Sequence, residues 1–455
     1  MTNSSKLTGE RLGSEAFKQD YGLRYAYVSG AMVKGIASTD MVIRMAKAGF
    51  LAFYGTGGMP LVKIESAIQT IQSSLSRQQP YGMNLLCHLA KPEQEMQIVE
   101  LFLRYGVRCI EASAFMQITP ALLKFRLTGL HRDSSGIVTT QRLMAKISRP
   151  EIAELFLRPA PMDMVESLLA QGQLTEEEAA LSQQIPLASD ICVEADSGGH
   201  TDMGNAAVLL PAIRRLRDHY QAHYQFSNPV RIGAGGGIGT PEAAASAFIL
   251  GADFILTGSI NQCTVEAGTS DAVKDMLQEM NVQDTEYAPA GDMFELGAKI
   301  QVLRKGVFFP ARANKLYELW HHHPSLDSID AATQKQIQDK FLGRSFEEVY
   351  RETKAYYERE APTEIERAER HPKVKMALIF RWYFVHSLRL AAAGDVSQRV
   401  NFQIHTGPAL GAFNQWLKHT ELRDWRQRHV DVIAEKLLHD TADYLQRGLL
   451  QILSH

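Results

Sequence analysis

Two glycine-containing turns, one βα unit apart, are the parts of the sequence with the clearest chemical potential. The first, residues 235–237, follows a β-rich run and precedes a helix that Thr240 can cap. The second, Gly258-Ser259, ends the next β-rich run. Consecutive glycines let backbone N–H groups approach an anion, and a helix start adds a favourable dipole. We therefore predict a phosphate site at Gly235, Gly236, Gly237, Gly258 and Ser259; the alternative is a tight turn before an ordinary helix cap.

A histidine follows two glycines after another β-rich run, in the segment 190–202. Gly198 and Gly199 would let a planar ligand lie against the backbone. His200 can donate a proton or a hydrogen bond near neutral pH. We predict His200 as the catalytic residue, and the alternative is a loop histidine with no chemical role.

Polar side chains interrupt two further apolar runs, Asn84 in YGMNLL and Lys146 in LMAKIS. A buried amide needs hydrogen-bond partners, and a buried lysine needs an anion. Asn84 could bond the pyrimidine edge of a flavin, and Lys146 could stabilise the negative charge of a reduced flavin. The alternatives are an asparagine satisfied within the fold and a salt bridge from Lys146 to Glu111 or Glu194.

The elements that would position these residues alternate regularly over the first 260 residues. Short β-rich runs alternate with helical patterns, which is typical of βα units around a parallel sheet. The predicted strands are 25–30, 50–54, 81–86, 107–112, 143–148, 190–195, 229–234 and 253–257. Eight strands favour a closed (β/α)8 TIM barrel, in which the loops after strands seven and eight are neighbours. The two glycine turns would then meet at the C-terminal face of the barrel.

The alternation breaks in two places, which sets the predicted domain organisation. Residues 159–189 are helical and polar, and we predict them to be an insertion between strands five and six. From about residue 270 the strand pattern fades. We predict a lead-in at 1–24, a barrel at 25–270 and a mostly helical C-terminal region at 271–455, within the α/β fold class.

Composition narrows the functional classes. With 455 residues, 45% of them hydrophobic, and a net charge of -3, the chain is typical of a soluble globular protein, and nothing points to nucleic acid. No apolar run approaches the roughly eighteen residues of a membrane span, and the start lacks a signal-peptide pattern. The four cysteines form no CxxC pair, which argues against zinc and disulfides. We expect no metal and a reducing cytoplasm.

The motifs together resemble the superfamily of nitronate monooxygenases and FabK-type flavin-dependent enoyl-ACP reductases. The resemblance lies in the order YVSGAM, YGMNLL, SGGH, GAGGGIGTPEAAA and GADFILTGS, across residues 22–265. Longer segments, at 143–161, 288–320 and 407–416, resemble one branch, the PfaD-type trans-acting enoyl reductases of polyketide and polyunsaturated fatty acid synthases.

This resemblance implies FMN, bound without a covalent bond at the C-terminal mouth of the barrel. Its phosphate would lie on Gly236, Gly237, Gly258 and Ser259. The ring and ribityl chain would be lined by Ala31, Met32, Asn84, Lys146 and Glu194, and His200 would lie beside the flavin. Glu194 departs from the amide common near this place in nitronate oxidisers, which disfavours the monooxygenase function.

The implied reaction passes a hydride from NADPH or NADH to flavin N5, and then to the β-carbon of a 2-enoyl thioester on an acyl carrier protein of a synthase complex. A nitronate monooxygenase, a non-redox phosphate-binding barrel and a scaffold are the alternatives. An acidic carrier or a cofactor phosphate could meet Lys299, Arg304, Lys305, Arg312 and Lys315; the alternative is that these residues are scattered surface charge. The helical tail could serve as a homodimer surface.

Overall fold

The computed structural model describes residues 6–88 and 91–453, with side chains to residue 448. Residues 1–5 of the predicted lead-in and 454–455 of the predicted C-terminal region lie outside the described part. The chain forms two compact units. Unit 1 contains the described residues up to Asp196, then Met203–Gly268 and those from Trp416 onward; unit 2 contains Ser197–Asp202 and Thr269–Gln415.

Unit 1 is built on a closed barrel of eight parallel strands, which confirms the predicted TIM barrel. The strands are β1 (Tyr27–Ser29), β2 (Leu51–Tyr54), β3 (Gly82–Leu86), β4 (Cys109–Ser113), β7 (Arg142–Ile147), β8 (Asp190–Glu194), β10 (Arg231–Gly235) and β11 (Ile255–Thr257). Their order around the barrel is β1-β11-β10-β8-β7-β4-β3-β2. The barrel closes because β1 pairs with both β2 and β11. All eight predicted strands are found, each within two residues of the expected limits.

The remaining strands form two small sheets. A hairpin in unit 1 pairs β5 (His131–Asp133) with β6 (Gly136–Val138). In unit 2, a three-stranded antiparallel sheet has the order β12-β13-β9, with β9 at Gly199–Thr201, β12 at Thr285–Pro289 and β13 at Lys299–Leu303.

Several helices begin with a side-chain cap or a proline in the first turn, and the cap predicted at Thr240 is one of them. Ser38 accepts from the backbone N–H of Met41, Thr240 accepts from that of Ala243, and Pro92 lies in a first turn. The helices up to residue 262 are α1 (Glu15–Tyr21), α2 (Thr39–Lys47), α3 (Leu61–Ser74), α4 (Pro92–Arg104), α5 (Pro120–Leu127), α6 (Pro150–Leu157), α7 (Met162–Ala170), α8 (Glu176–Leu181), α9 (Ala206–Tyr224), α10 (Pro241–Ile249) and α11 (Ser259–Gln262). The predicted insertion is helical and comprises α7 and α8.

The later helices are α12 (Asp271–Leu277), α13 (Phe309–His322), α14 (Ala331–Gln336), α15 (Phe346–Glu360), α16 (Pro362–Arg370), α17 (Pro372–Ala393), α18 (Pro408–Leu417) and α19 (Val430–Leu453); a π-helical turn, Ile337–Leu342, follows α14. In unit 2, Phe294, Phe309 and Phe384 form part of one buried apolar cluster, to which residues of the sheet and of several helices contribute. No helix in the described ranges is long and apolar enough to cross a membrane.

The compact units divide the chain differently from the predicted domain limits. Residues from 416 onward group with the barrel, because α19 packs against α10 and α2. Its inward face, with Val430, Ile433 and Leu437, is fully buried. Residues 197–202 group instead with unit 2, because β9 pairs with β13.

Candidate active site

The first glycine turn lies at the carboxyl end of β10 and has the backbone geometry that only glycine adopts readily. Gly236 and Gly237 have φ of 83° and 74°, in the left-handed region. A Cβ on Gly236 would stand 2.4 Å from the carbonyl oxygen of Ala195, whereas at Gly237 no atom of the described residues lies within 4 Å. The turn therefore packs closely on one side, and a ligand can approach its backbone on the other.

The second glycine turn lies on the neighbouring strand, since Gly235 of β10 pairs with Leu256 of β11. Gly258 also has no atom of the described chain within 4 Å of the Cβ position, and Ser259 begins the short helix α11. Buried Asn261 fixes this turn by donating to Ser29 Oγ at 3.0 Å and to the carbonyl of Thr257 at 3.1 Å. The fold thus brings together the two predicted half-sites for phosphate.

Lys146 and Glu194 form an ion pair at the same face of the barrel. Their strands β7 and β8 are neighbours, and Lys146 Nζ lies 3.2 Å from Glu194 Oε1. Burial works against the charge of Lys146, but the carboxylates of Glu194 and Glu111 outweigh it and raise its pKa above the ordinary value. The salt bridge from Lys146 to Glu194, which was the alternative for this lysine, is therefore present. One cation and two carboxyl groups thus lie together at this face of the barrel.

Asn84 is buried and is satisfied largely within the fold. Its side-chain nitrogen donates to the carbonyl of Glu111 at 3.0 Å and to Ser113 Oγ at 3.1 Å, across the β3–β4 pairing. These contacts agree with the structural alternative for Asn84. Binding of a ligand by this amide stays a prediction.

Glu111 was missed as a site residue. It is fully buried on β4, and its Oε2 accepts from the backbone N–H of Ala31 at 3.0 Å. Burial raises the pKa of this carboxyl to about 7, although the charge of Lys146 and the Ala31 hydrogen bond work in the other direction. A glutamate in the otherwise apolar run VRCIEA could have drawn attention on the same argument that selected Asn84 and Lys146.

Ala31 and Met32 follow β1, half-buried, next to the end of β2. A Cβ on Gly55 would stand 1.7 Å from the carbonyl oxygen of Met32, so the two loops approach closely. The described residues of unit 1 thus bring together ten of the predicted site residues at the carboxyl ends of the strands: Ala31, Met32, Asn84, Lys146, Glu194, Gly235, Gly236, Gly237, Gly258 and Ser259.

Gly198, Gly199 and His200 belong to unit 2, where His200 lies on β9 opposite Ile300. His200 Nε2 is 2.9 Å from Asp292 Oδ1, with both side chains at least half exposed. Burial would raise the pKa of Asp292, but the hydrogen bond and charge of His200 outweigh it and lower the pKa. Asp292 is therefore a carboxylate that holds the imidazole, and sequence reasoning did not find it.

The five predicted basic residues each have a local partner in unit 2. Lys305 lies 3.6 Å from Asp284 and Lys315 lies 3.2 Å from Glu318. Arg304 donates to the backbone carbonyl of Gln283, and Arg312 donates to the side chain of Asn401. Lys299 lies over the ring of Tyr317. This arrangement favours the alternative of scattered surface charge.

Comparisons with known proteins extend over nearly the whole chain. Residues 323–402 match the family described as "[Acyl-carrier-protein] S-malonyltransferase, inserted helical domain". The chain is 55% identical to polyketide biosynthesis protein PksE of Bacillus subtilis over 97% of this chain and 58% of that protein. It is 44% identical to a polyunsaturated fatty acid synthase polypeptide of Thraustochytrium sp. over 90% of this chain and 28% of that protein. The chain thus spans less than two thirds of these relatives.

A solved structure is similar over nearly its full length. The crystal structure of the enoyl reductase domain of MlnA, from the macrolactin biosynthesis cluster of Bacillus amyloliquefaciens, superposes with a TM-score of 0.94. The two sequences are 45% identical, and the match covers 97% of this chain and 99% of that one.

Proposed function

We propose, on the premise that the chain belongs to the PfaD-type enoyl reductase family, that it reduces the double bond of a 2-enoyl thioester carried by an acyl carrier protein. The observation that carries the proposal is the match to the MlnA enoyl reductase domain, which extends over 99% of that domain. The names of the relatives favour a carrier protein of a polyketide or polyunsaturated fatty acid synthase as the partner.

The C-terminal face of the barrel fits FMN on two observations. Backbone is accessible at Gly237 and Gly258, at the ends of adjacent strands, as a phosphate site requires. The buried Oε1 of Glu111 has no hydrogen-bond partner among the described residues, which suits a polar ring placed against it. Bound there, FMN would supply the hydride chemistry that links NADPH or NADH to the enoyl thioester.

The residues of the chain would contribute binding and electrostatics. The backbone at Gly236, Gly237, Gly258 and Ser259 would hold the phosphate. The ammonium of Lys146, kept charged mainly by the carboxylate of Glu194, favours negative charge nearby. Small Ala31 and the adjacent Met32 would line the ring.

His200 would act on the substrate, because a protonated imidazole can donate either a proton to the α-carbon or a hydrogen bond to the thioester carbonyl. Asp292, at 2.9 Å from Nε2, favours the protonated ring and limits its rotation. We expect His200→Ala to retain FMN and to lose most turnover.

The test is turnover of purified, FMN-loaded protein under anaerobic conditions. We expect NADPH or NADH oxidation that depends on crotonyl-pantetheine or a crotonyl carrier protein, with the saturated thioester as product by mass spectrometry. Failure to reduce any 2-enoyl thioester would overturn the proposal. In a separate aerobic assay, oxygen consumption with a nitroalkane and no NAD(P)H would identify a nitronate monooxygenase. A protein that takes up no FMN would be a non-redox barrel.

A further inference from the structure

We propose that Glu111 positions the flavin as a neutral acid: its Oε2 fixes Ala31 and Asn84, and the proton on its Oε1 is donated to an acceptor atom of the bound ring. This inference rests on the proposed function, because it concerns the same cofactor site. It gives Glu111 a role at the cofactor site that neither the motifs nor the family resemblance indicated.

The carboxyl group of Glu111 contacts a residue on the far side of the barrel. Glu111 is on β4, yet its Oε2 accepts from the amide of Ala31 at the end of β1, with β3 and β2 between these strands on one side of the barrel. The side chain therefore crosses the barrel interior. The same Oε2 lies 3.5 Å from the side-chain nitrogen of Asn84. One buried carboxyl thus contacts two of the residues predicted to line the ring.

The two oxygens of the Glu111 carboxyl group differ in their hydrogen bonding. Oε2 already accepts hydrogen bonds, whereas Oε1 is fully buried and has no partner within residues 6–88 and 91–453. An anionic Oε1 would need a donor, and a protonated Oε1 would need an acceptor. An isoalloxazine ring offers both kinds of atom, so the protonation state decides which contact forms.

The surrounding charges favour the protonated form. Lys146 on β7 is engaged by Glu194 at 3.2 Å, so this cation is shared between two carboxyl groups. Two thiols also interact electrostatically with Glu111, those of Cys109 on its own strand and Cys192 on β8. Burial raises the pKa of both thiols, which keeps them neutral. Burial likewise raises the pKa of Glu111 to about 7.

The test is the FMN dissociation constant from pH 7 to 9, measured by flavin fluorescence for the wild type and Glu111→Gln. Over this range the FMN phosphate stays dianionic, because its second pKa is about 6. If only the neutral acid donates to the ring, the wild-type dissociation constant rises with pH, by up to about tenfold per unit. The amide of the variant can accept from Ala31 and donate to the ring, so its dissociation constant should stay constant and near the wild-type value at pH 7.

Glu95→Gln is the matched control. Glu95 is another buried glutamate of unit 1, but both of its oxygens are occupied, by Thr119 and the backbone N–H of His88. This variant should keep the pH dependence of the wild type. If Glu111→Gln does not fold, the wild-type series still tests the role, because an affinity that is constant or increases with pH overturns it.

A wild-type affinity that is constant or that increases from pH 7 to 9 would overturn the neutral-acid role. So would the same pH dependence in Glu111→Gln as in the wild type. These outcomes leave FMN binding, and with it the proposed function, intact. Absence of FMN binding at every pH would overturn both.

Discussion

At the amino ends of the barrel strands Asp190 has both carboxylate oxygens occupied, whereas at the carboxyl ends Glu111 keeps one oxygen without a partner among the described residues. Asp190 accepts from Arg231 Nε at 2.6 Å and from the hydroxyl of Tyr21 at 2.5 Å. Both carboxyl groups are fully buried. The protein therefore buries two acids at opposite ends of one barrel. Within the described chain both oxygens of Asp190 have hydrogen-bond partners, whereas only one oxygen of Glu111 does.

The difference matches the division of labour in TIM barrels, where the amino ends of the strands serve stability and the carboxyl ends serve chemistry. A single strand shows both, since β8 begins at Asp190 and ends at Glu194. Because both oxygens of Asp190 have partners at the amino ends of the strands, we expect a mutation there to cost much folding stability. Because one oxygen of Glu111 has no partner among the described residues at the carboxyl ends, we expect mutations there to affect ligand binding.

Asp190→Asn should give the largest effect of the variants considered, a loss of about 3 kcal/mol in the free energy of unfolding. The reason is that Arg231, whose side chain is only 12% exposed, would lose its main counter-charge. Urea unfolding measures this loss. The folded fraction should bind FMN as the wild type does. Asp20→Asn is the control, because Asp20 also contacts Arg231, at 2.5 Å, but its side chain is 53% exposed; it should cost less than about 1 kcal/mol. Equal costs for the two variants would contradict the comparison.

Lys146→Met should act mainly on the ligand. Removing the ammonium takes a positive charge from the proposed cofactor site and leaves the carboxylate of Glu194 without its cation. We therefore expect the FMN dissociation constant to rise by about tenfold to a hundredfold. Fluorescence titration at pH 7.5 measures the change. Lys124→Met is the control: Lys124 is paired with Glu100 at 2.9 Å and has 16% side-chain exposure, against 18% for Lys146. An unchanged FMN affinity in Lys146→Met would remove this lysine from the cofactor site.

Asp292→Asn should have the smallest effect, because the His200–Asp292 pair is half exposed and screened by water. Loss of the carboxylate disfavours the imidazolium. If His200 acts as the acid, the limb of the kcat/KM profile that falls with rising pH should move to lower pH, by less than about one unit. The double variant of Asp292→Asn and His200→Ala should have the same pH profile as His200→Ala alone. A drop in activity with an unmoved limb would mean that Asp292 acts only on the structure of the loop.

The sequence was sufficient to predict the barrel, because each strand is a short apolar run bounded by turn residues and many helix starts have a recognisable cap. It was also sufficient to predict that the two glycine turns would be neighbours, since that follows from strand order alone. Its apolar run marks Glu111 as unusual, but strand order alone could not assign the partner of Glu111, nor Asp292 as the partner of His200. The partner of Glu111 is 80 residues away and that of His200 is 92 residues away, so both contacts depend on the folded arrangement.

The limits of the units were equally hard to predict. Helical spacing at Val430, Ile433 and Leu437 indicates an apolar face on α19, but not which surface covers it. The assignment of residues from 416 onward to the barrel depends on its packing against α10 and α2, which are remote in sequence.

The pairing of β9 with β13 also has a consequence for biosynthesis on the ribosome. His200 is opposite Ile300 in this sheet, and the two residues are about a hundred positions apart. All eight barrel strands precede residue 258, so they can be translated before β13 exists. The histidine therefore acquires its place only after the hairpin of β12 and β13 has emerged, and a nascent chain that stalls before residue 299 would contain every barrel strand but lack the sheet that orders His200.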